Sequence, residues 1–321
     1  MDLSLWRRLF GGGAAPPPMS GGSGGDSPML WAAHPSHLSG APRRIAIFTI
    51  GSLARIAVTL LNSSHVHNAD TLLHLVTARP PGTPLITVSN HTSTLDDPLM
   101  WAFKGFPVTN ARLSRWILAA EDICFTNPLF SYFFRVGKCI PIRRGAGIYQ
   151  PFMDEALDRI NEGEWMHTFP EGKVCQEHGP LRRFKWGVGS LVARAAVPPI
   201  VLPIGHTGFD QVMPEKYMFG RRPLLPLAGK KITIVVGEPM EFDMASLRDT
   251  AMKFSASSPS PFPLSCNAFK MDLAARRPGP KHLVALDDNS LGWLYSHITQ
   301  QIQAAVEELR WQALGKNRQS S

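Results

Sequence analysis

Pro84-Leu85-Ile86-Thr87-Val88-Ser89-Asn90-His91-Thr92-Ser93-Thr94-Leu95-Asp96-Asp97-Pro98 is the stretch on which the reading of the fold turns. Its first six residues form a short apolar run that reads as a buried strand. The polar cluster after it falls where a strand ends and a helix begins. In α/β proteins chemistry gathers at such points, because the strand end is rigid and the loop is reachable. His91 and Asp96 lie five positions apart, so a carboxylate in the first helical turn can fold back toward the imidazole. A carboxylate on one ring nitrogen fixes the tautomer and makes the other nitrogen more basic. Such a pair has no nucleophile of its own and suits activation of a hydroxyl brought by a substrate. The same residue types are ordinary helix caps and turn formers, so spacing alone leaves both readings open.

Outward from this stretch the chain alternates. Strand-like runs fall at residues 85–89, 116–120, 139–142, 165–169, 200–204 and 232–236. Between them, Tyr149 to Asn161 carries Phe152, Ala156 and Ile160 on one face, and Trp186 to Ala196 reads as a second helix stopped by Pro198-Pro199. Strand and helix repeated in this way predict an α/β fold, a mostly parallel sheet flanked by helices. The alternation of Ile232, Ile234 and Val236 suggests an edge or end strand.

The flanks divide the chain further. Residues 1–42 are rich in Gly, Pro and Ser and are expected to be disordered or loosely attached. Met1 to Phe10, with Arg7 and Arg8, weakly resembles an organelle-targeting stretch, although the glycine run argues against a long presequence. Residues 43–63 hold the most hydrophobic segment, Ile45 to Leu61, preceded by Arg43 and Arg44 and interrupted by Arg55. Three readings of it compete: a spanning helix, a helix lying in the membrane interface, and a core helix. A central arginine in a single span costs roughly 2.5–3.5 kcal/mol, which favours the interfacial helix. Arg43, Arg44, Phe48, Leu53 and Arg55 are then its membrane contacts. Residues 64–252 form the main domain. Residues 253–285, with Ser-Pro repeats and a basic, turn-rich end, read as an inserted low-complexity loop. In 286–321, Leu291, Leu294, Ile298, Ile302, Ala305 and Leu309 give a helix with one packing face.

The formal net charge is +8, which suits anionic partners such as phospholipid headgroups or nucleic acid. No nucleic-acid fold pattern accompanies it, so no nucleic acid is expected as a partner. Cys124, Cys139, Cys175 and Cys266 are scattered and form neither a zinc pattern nor a disulfide framework, so no metal is expected.

Four further constellations follow along the chain. Gly137 to Gly145 places Arg143 and Arg144 after a short strand, where a guanidinium can grip a phosphate or simply be solvated. Phe169-Pro170-Glu171-Gly172-Lys173 is either an ordinary turn or a turn that faces Glu171 and the Gly172 amide into the cleft of His91. In that second case Glu171 holds a glycerol hydroxyl or a basic partner such as Arg143. Leu181 to Trp186 interleaves cations with aromatics, as a headgroup-facing surface does. Val201 to Gly208 reads as a buried strand opening into a glycine turn, with His206 structural.

In this order, from Ser52 to Glu238, these blocks resemble the glycerolipid acyltransferase superfamily, and within it the branch that remodels cardiolipin. The resemblance rests on His91-x4-Asp96, Ala120 to Thr126, Gly137-Lys138-Cys139-Ile140-Pro141, Phe169-Pro170-Glu171-Gly172-Lys173-Val174 and Arg183 to Gly187. It implies a glycerol-3-phosphate acyltransferase-like fold and O-acyl transfer. It makes His91 the general base and Asp96 its orienting partner. It gives Arg143 to phosphate binding and Glu171 and Gly172 to acceptor binding. The substrates would be phospholipids and lysophospholipids, handled without coenzyme A or any other cofactor at an anionic membrane surface. The place implied is a mitochondrial membrane facing the intermembrane space. The nearest rival is an acyl-CoA-dependent lysophospholipid acyltransferase using the same His91 and Asp96. An inactive lipid-binding protein is the rival from another class.

Overall fold

Seven strands form one sheet in the computed structural model of the chain, which describes residues 29–177, 179–257 and 286–319. The strands are β1 (Ser63–His67), β2 (Leu85–Ser89), β3 (Trp116–Ala120), β4 (Cys139–Ile142), β5 (Trp165–Thr168), β6 (Ile200–Thr207) and β7 (Lys231–Val236). Their order is β1-β7-β6-β2-β5-β3-β4, and of the pairings only β6 with β7 is antiparallel. The longer helices are α1 (Ala41–Thr59), α2 (Ala69–Ala78), α3 (Pro128–Val136), α4 (Pro151–Asn161), α5 (Gly187–Arg194), α6 (Met244–Ser257) and α7 (Asp288–Gln319).

Every residue of β2 is buried, which is why it reads as a continuous apolar run: helices cover both faces of a parallel sheet. Successive side chains enter opposite layers. Ile86 and Val88 pack with Phe152 of α4, Leu191 of α5 and Leu294 and Ile298 of α7. Leu85 packs in the other layer with Val58 of α1, Leu72 of α2 and Trp101. The long α7 lies on β6 and α5. Its backbone passes so close to β6 that a Cβ at Gly205 would sit 2.3 Å from the Arg310 nitrogen. Only a glycine admits that approach, and it carries the end of α7 to the head of β6.

The α/β architecture expected from the sequence is present, with differences at its edges. The edge strand is β1, and β7 lies inside, between β1 and β6. Ser-Ser-His-Val-His of β1 has no apolar signature, and the alternation of Ile232, Ile234 and Val236 that suggests an edge or end strand belongs to a strand paired on both sides. Strand β6 runs past Ile204 through Gly205 and His206 to Thr207, and the glycine turn falls at Gly208, whose φ is +100°. Residues 29–42 are not a loose tail: Ala32 and Ala33 are buried, and His37 Nε2 lies 3.0 Å from the Tyr132 hydroxyl on α3. Residues 253–257 belong to α6, whereas 258–285 and 1–28, with the targeting-like start, lie outside the described residues. In Leu181–Trp186 the aromatics Phe184 and Trp186 belong to the core and not to a headgroup-facing surface.

No helix among the described residues is long and apolar enough to cross a membrane, so the spanning reading of Ile45–Leu61 falls. Helix α1 buries its small side, Gly51, Ala54 and Ala57, and exposes Ile45, Phe48, Leu53, Ile56 and, just beyond its end, Leu60. Two arginines assigned to membrane contact are engaged inward. Arg43 donates to the Ala33 carbonyl and lies over the Trp116 ring at 5.4 Å. Arg55 donates to the Phe103 carbonyl at 2.7 Å and to the Phe106 carbonyl. Cations within an apolar helix look like headgroup ligands until the tertiary fold supplies carbonyls for them.

Candidate active site

The carboxyl ends of β2, β5 and β6, three adjacent strands at the middle of the sheet, bring the polar residues together. Directly after β2, His91 Nδ1 lies 2.8 Å from Asp96 Oδ2. That same oxygen accepts from the amides of Thr92 at 2.6 Å and Ser93 at 2.9 Å, and Thr92 Oγ1 donates to Oδ1 at 3.3 Å. Asp96 is fully buried. A carboxylate only accepts, so Nδ1 carries the imidazole proton and the Nε2 lone pair is available. The ring stacks on Phe169 at 4.2 Å, and 20% of the His91 side chain stays open to solvent. The neighbouring Asp97 has a separate job. It accepts from Arg115 Nε and Trp101 Nε1, both at 2.6 Å, and although burial pushes its carboxyl up, Arg115 outweighs this and holds it below the usual range.

Glu171 follows β5 and accepts the His91 amide at 2.8 Å. The carboxylate therefore braces the main chain of the base. The ion pair with Arg143 does not form. Burial raises the Glu171 carboxyl above its ordinary range, against the pull of the His91 amide. Gly172 closes the turn by donating to the Phe169 carbonyl at 3.1 Å, and its φ of +76° is the reason a glycine stands there. Since an ionised buried Glu171 is a cost to folding once pH exceeds the ordinary glutamate range, Glu171→Gln is expected to melt at or slightly above the wild-type temperature. Its amide oxygen still accepts the His91 N–H, so turnover close to wild type without a fall in melting temperature is the expected pair of results, and a large loss of turnover would show that the Glu171 charge itself is used. Thermal unfolding and an activity assay on one preparation check it.

Arg143 stands elsewhere. It follows β4, three strands from β2, which corresponds to roughly 14 Å across the sheet. Its side chain is 65% exposed and pairs with Glu121 through Nε at 2.9 Å. It shares the reactive end of the sheet with His91 but touches none of the His91, Asp96 and Glu171 group among the described contacts.

Sequence reasoning took His206 as structural and missed its partner. Asn90 Nδ2 donates to the His206 carbonyl at 3.1 Å, the His206 amide donates to Asn90 Oδ1 at 3.0 Å, and His206 Nε2 lies 2.7 Å from the Asn90 carbonyl. This clamp fixes the residue immediately before the base. Burial lowers the His206 pKa and keeps the ring neutral, with Nε2 also 3.8 Å from Asp96 Oδ2. No local signal could reveal it, because the two residues are 116 positions apart. Gln176 was missed for the same reason. It ties the Thr92 carbonyl at 2.8 Å to the Met213 carbonyl at 3.1 Å. Behind the His91 turn, Thr92, Gln176, His206, Asp210 and Arg310 line a cleft of about 260 Å³ to which α7 contributes.

The chain matches the acyltransferase family model over residues 63–207. It is 51% identical over 288 residues to the N-acylphosphatidylethanolamine synthase of Arabidopsis thaliana, which covers 88% of this chain and 96% of that protein. It is 39% identical over 213 residues to the tafazzin of Drosophila melanogaster, covering 65% of this chain and 54% of that protein. Among solved structures, the 1-acyl-sn-glycerophosphate acyltransferase of Thermotoga maritima aligns with a TM-score of 0.43 at 18% identity, over 72% of this chain and 82% of that one.

Proposed function

Because the chain belongs to the acyltransferase family, in its tafazzin-like branch, we propose that it moves an acyl chain from a phospholipid to a lysophospholipid without coenzyme A. The observation that carries acyl transfer is the His91–Asp96 pair, whose open nitrogen has no protein nucleophile among its described partners, while the phospholipid donor rests on the tafazzin likeness. His91 Nε2 takes the proton of the lysolipid hydroxyl as its oxygen attacks the donor ester carbonyl. The tetrahedral intermediate collapses, and the protonated His91 returns the proton to the departing lysolipid oxygen. Asp96 stabilises the imidazolium between these events. Lysocardiolipin is the proposed acceptor and a mitochondrial membrane the proposed place, both resting on the tafazzin likeness. The apolar stripe of α1 supports an in-plane seat on that membrane.

A second reading has its own support in the Arabidopsis relative, whose name gives the acceptor as the amine of phosphatidylethanolamine. The same base serves an amine as well as a hydroxyl. Liposomes containing labelled phosphatidylcholine and lysocardiolipin, without coenzyme A, test the first reading. Parallel reactions carry labelled acyl-CoA with lysophospholipids, and either donor with phosphatidylethanolamine. Mild alkali cleaves ester products and spares amides, so the linkage formed is read directly. Label entering alkali-stable product alone overturns the hydroxyl acceptor, and transfer from acyl-CoA alone overturns the donor.

For Arg143 the proposed role is grip on the acceptor phosphate, supported by its exposed guanidinium at the reactive end of the sheet. A hydrogen bond between charged groups contributes about 1.5–3 kcal/mol, so Arg143→Glu should raise the acceptor KM about ten- to a hundredfold with kcat little changed. An unchanged KM would remove Arg143 from the site.

A further inference from the structure

The connection between β6 and β7 carries a feature that the chemistry above does not use. Residues 217–221 close a tight tip, in which the Tyr217 amide donates to the Arg221 carbonyl at 2.9 Å and the Gly220 amide to the Tyr217 carbonyl at 3.1 Å. At its apex Phe219 is 93% exposed. Its φ of +57° lies in the left-handed region, where glycine or asparagine is the ordinary occupant. A phenylalanine there holds a strained backbone and a solvated ring together, and folding gains from neither. Tyr217, Met218, Leu224 and Leu225 are exposed beside it.

Charge and position say what covers this patch. Lys216 and Arg221 flank the tip on the exposed side, and the carboxylate beside Lys216, Glu215, pairs with Arg222 at 2.6 Å. Strand β7 runs antiparallel to β6, so the whole connection lies at the end of the sheet that holds His91. It is joined to the end of α1 by the Gly229 amide on the Leu61 carbonyl at 2.7 Å and the Lys230 amide on Asn62 Oδ1 at 2.8 Å. That places the end of the connection, a few residues after Leu225, against Leu61, and Leu60 and Leu61 are also exposed. Across the sheet at the same end, Ile123 and Leu129 after β3 are exposed as well. Apolar side chains on both flanks of one end, with cations around them, complement an extended anionic surface better than the compact footprint of a protein partner.

We propose that the Tyr217–Leu225 tip inserts into a phospholipid bilayer, with Phe219 as its wedge and Lys216 and Arg221 on the headgroups, so that the His91 end of the sheet faces the lipid. The proposal rests on the lipid-substrate reading for its purpose but not for its test. Binding of the full chain to phosphatidylcholine vesicles, with and without phosphatidylglycerol, is compared for wild type, Phe219→Asp and Lys216→Glu/Arg221→Glu. Turnover is measured in parallel on short-chain phosphatidylcholine and lysophosphatidylcholine below their micellar concentrations. Burial of one aromatic ring corresponds to an affinity change of about ten- to a hundredfold, which is the loss expected for Phe219→Asp with short-chain turnover intact. The charge-reversed variant should lose the preference for phosphatidylglycerol. Phe219→Trp adds a direct readout: quenching by brominated acyl chains above that of wild type. Vesicle affinity unchanged in Phe219→Asp overturns the proposal, as does a loss of self-association in that variant without a loss of vesicle binding, which would assign the patch to a second copy of the chain. If the wild type turns over neither short-chain lipid, the liposome assay above still judges the functional reading, and the vesicle comparison still decides the wedge.

Discussion

His91→Gln is expected to be folded and to lose ~10²–10⁴-fold in kcat for acyl transfer, with little change in KM. Glutamine is close to histidine in length and keeps an amide near the Asp96 carboxylate, so the buried acid is not left without a donor. Asp96 also retains the Thr92 and Ser93 amides, and Glu171 retains the His91 main-chain N–H, which any residue at this position supplies. What is lost is the basic nitrogen, and with it the stack on Phe169. Purified variant and wild type would be compared by circular dichroism, thermal unfolding and the liposome assay. A folded variant with wild-type turnover would remove His91 as the base and leave the pair as a helix-capping device. A parallel fall in acceptor affinity would instead place His91 in substrate binding, since a group acting only in the transition state leaves KM alone.

How much of this was legible in the sequence depended on the range of each interaction. The central strands were, because burial on both faces leaves nearly unbroken apolar runs such as Leu85–Ser89 and Ile200–Ile204. His91 and Asp96 were, because their contact spans five residues and a single turn. Glu171 was placed in the right cleft, but its partner was a main-chain amide, which every residue carries and no pattern can single out. Arg55 illustrates the opposite failure. An arginine in an apolar helix has two physical remedies, headgroups or buried carbonyls, and the carbonyls of Phe103 and Phe106 lie 48 and 51 residues away. Polar β1 and the Asn90–His206 clamp were invisible for kindred reasons, the first lacking an apolar signature and the second depending on the register of β2 beside β6.

Asp96→Asn is the sharper test, because it changes one charge and almost no volume. Three N–H groups converge on Oδ2: His91 Nδ1 and the amides of Thr92 and Ser93. A full negative charge in a buried site holds such a cluster; a neutral amide oxygen does so poorly. The asparagine has two ways to sit. With its oxygen in the Oδ2 place it keeps the donors and loses the charge that stabilises the imidazolium. With its NH2 there it opposes two backbone amides and drives the imidazole proton to Nε2, which abolishes the base. The wrong tautomer costs about 10⁴-fold in kcat where a triad aspartate has been replaced in this way in serine proteases, and a loss approaching that size is expected here. Because Asp96 acts only through His91, the two changes should not add. Asp96→Asn in a His91→Gln background should be about as slow as His91→Gln alone. The cycle is closed by kcat from the four proteins, with thermal unfolding on each. Multiplicative losses would mean that Asp96 stabilises the reacting substrate by itself, and the His91–Asp96 unit would have to be divided into two independent sites.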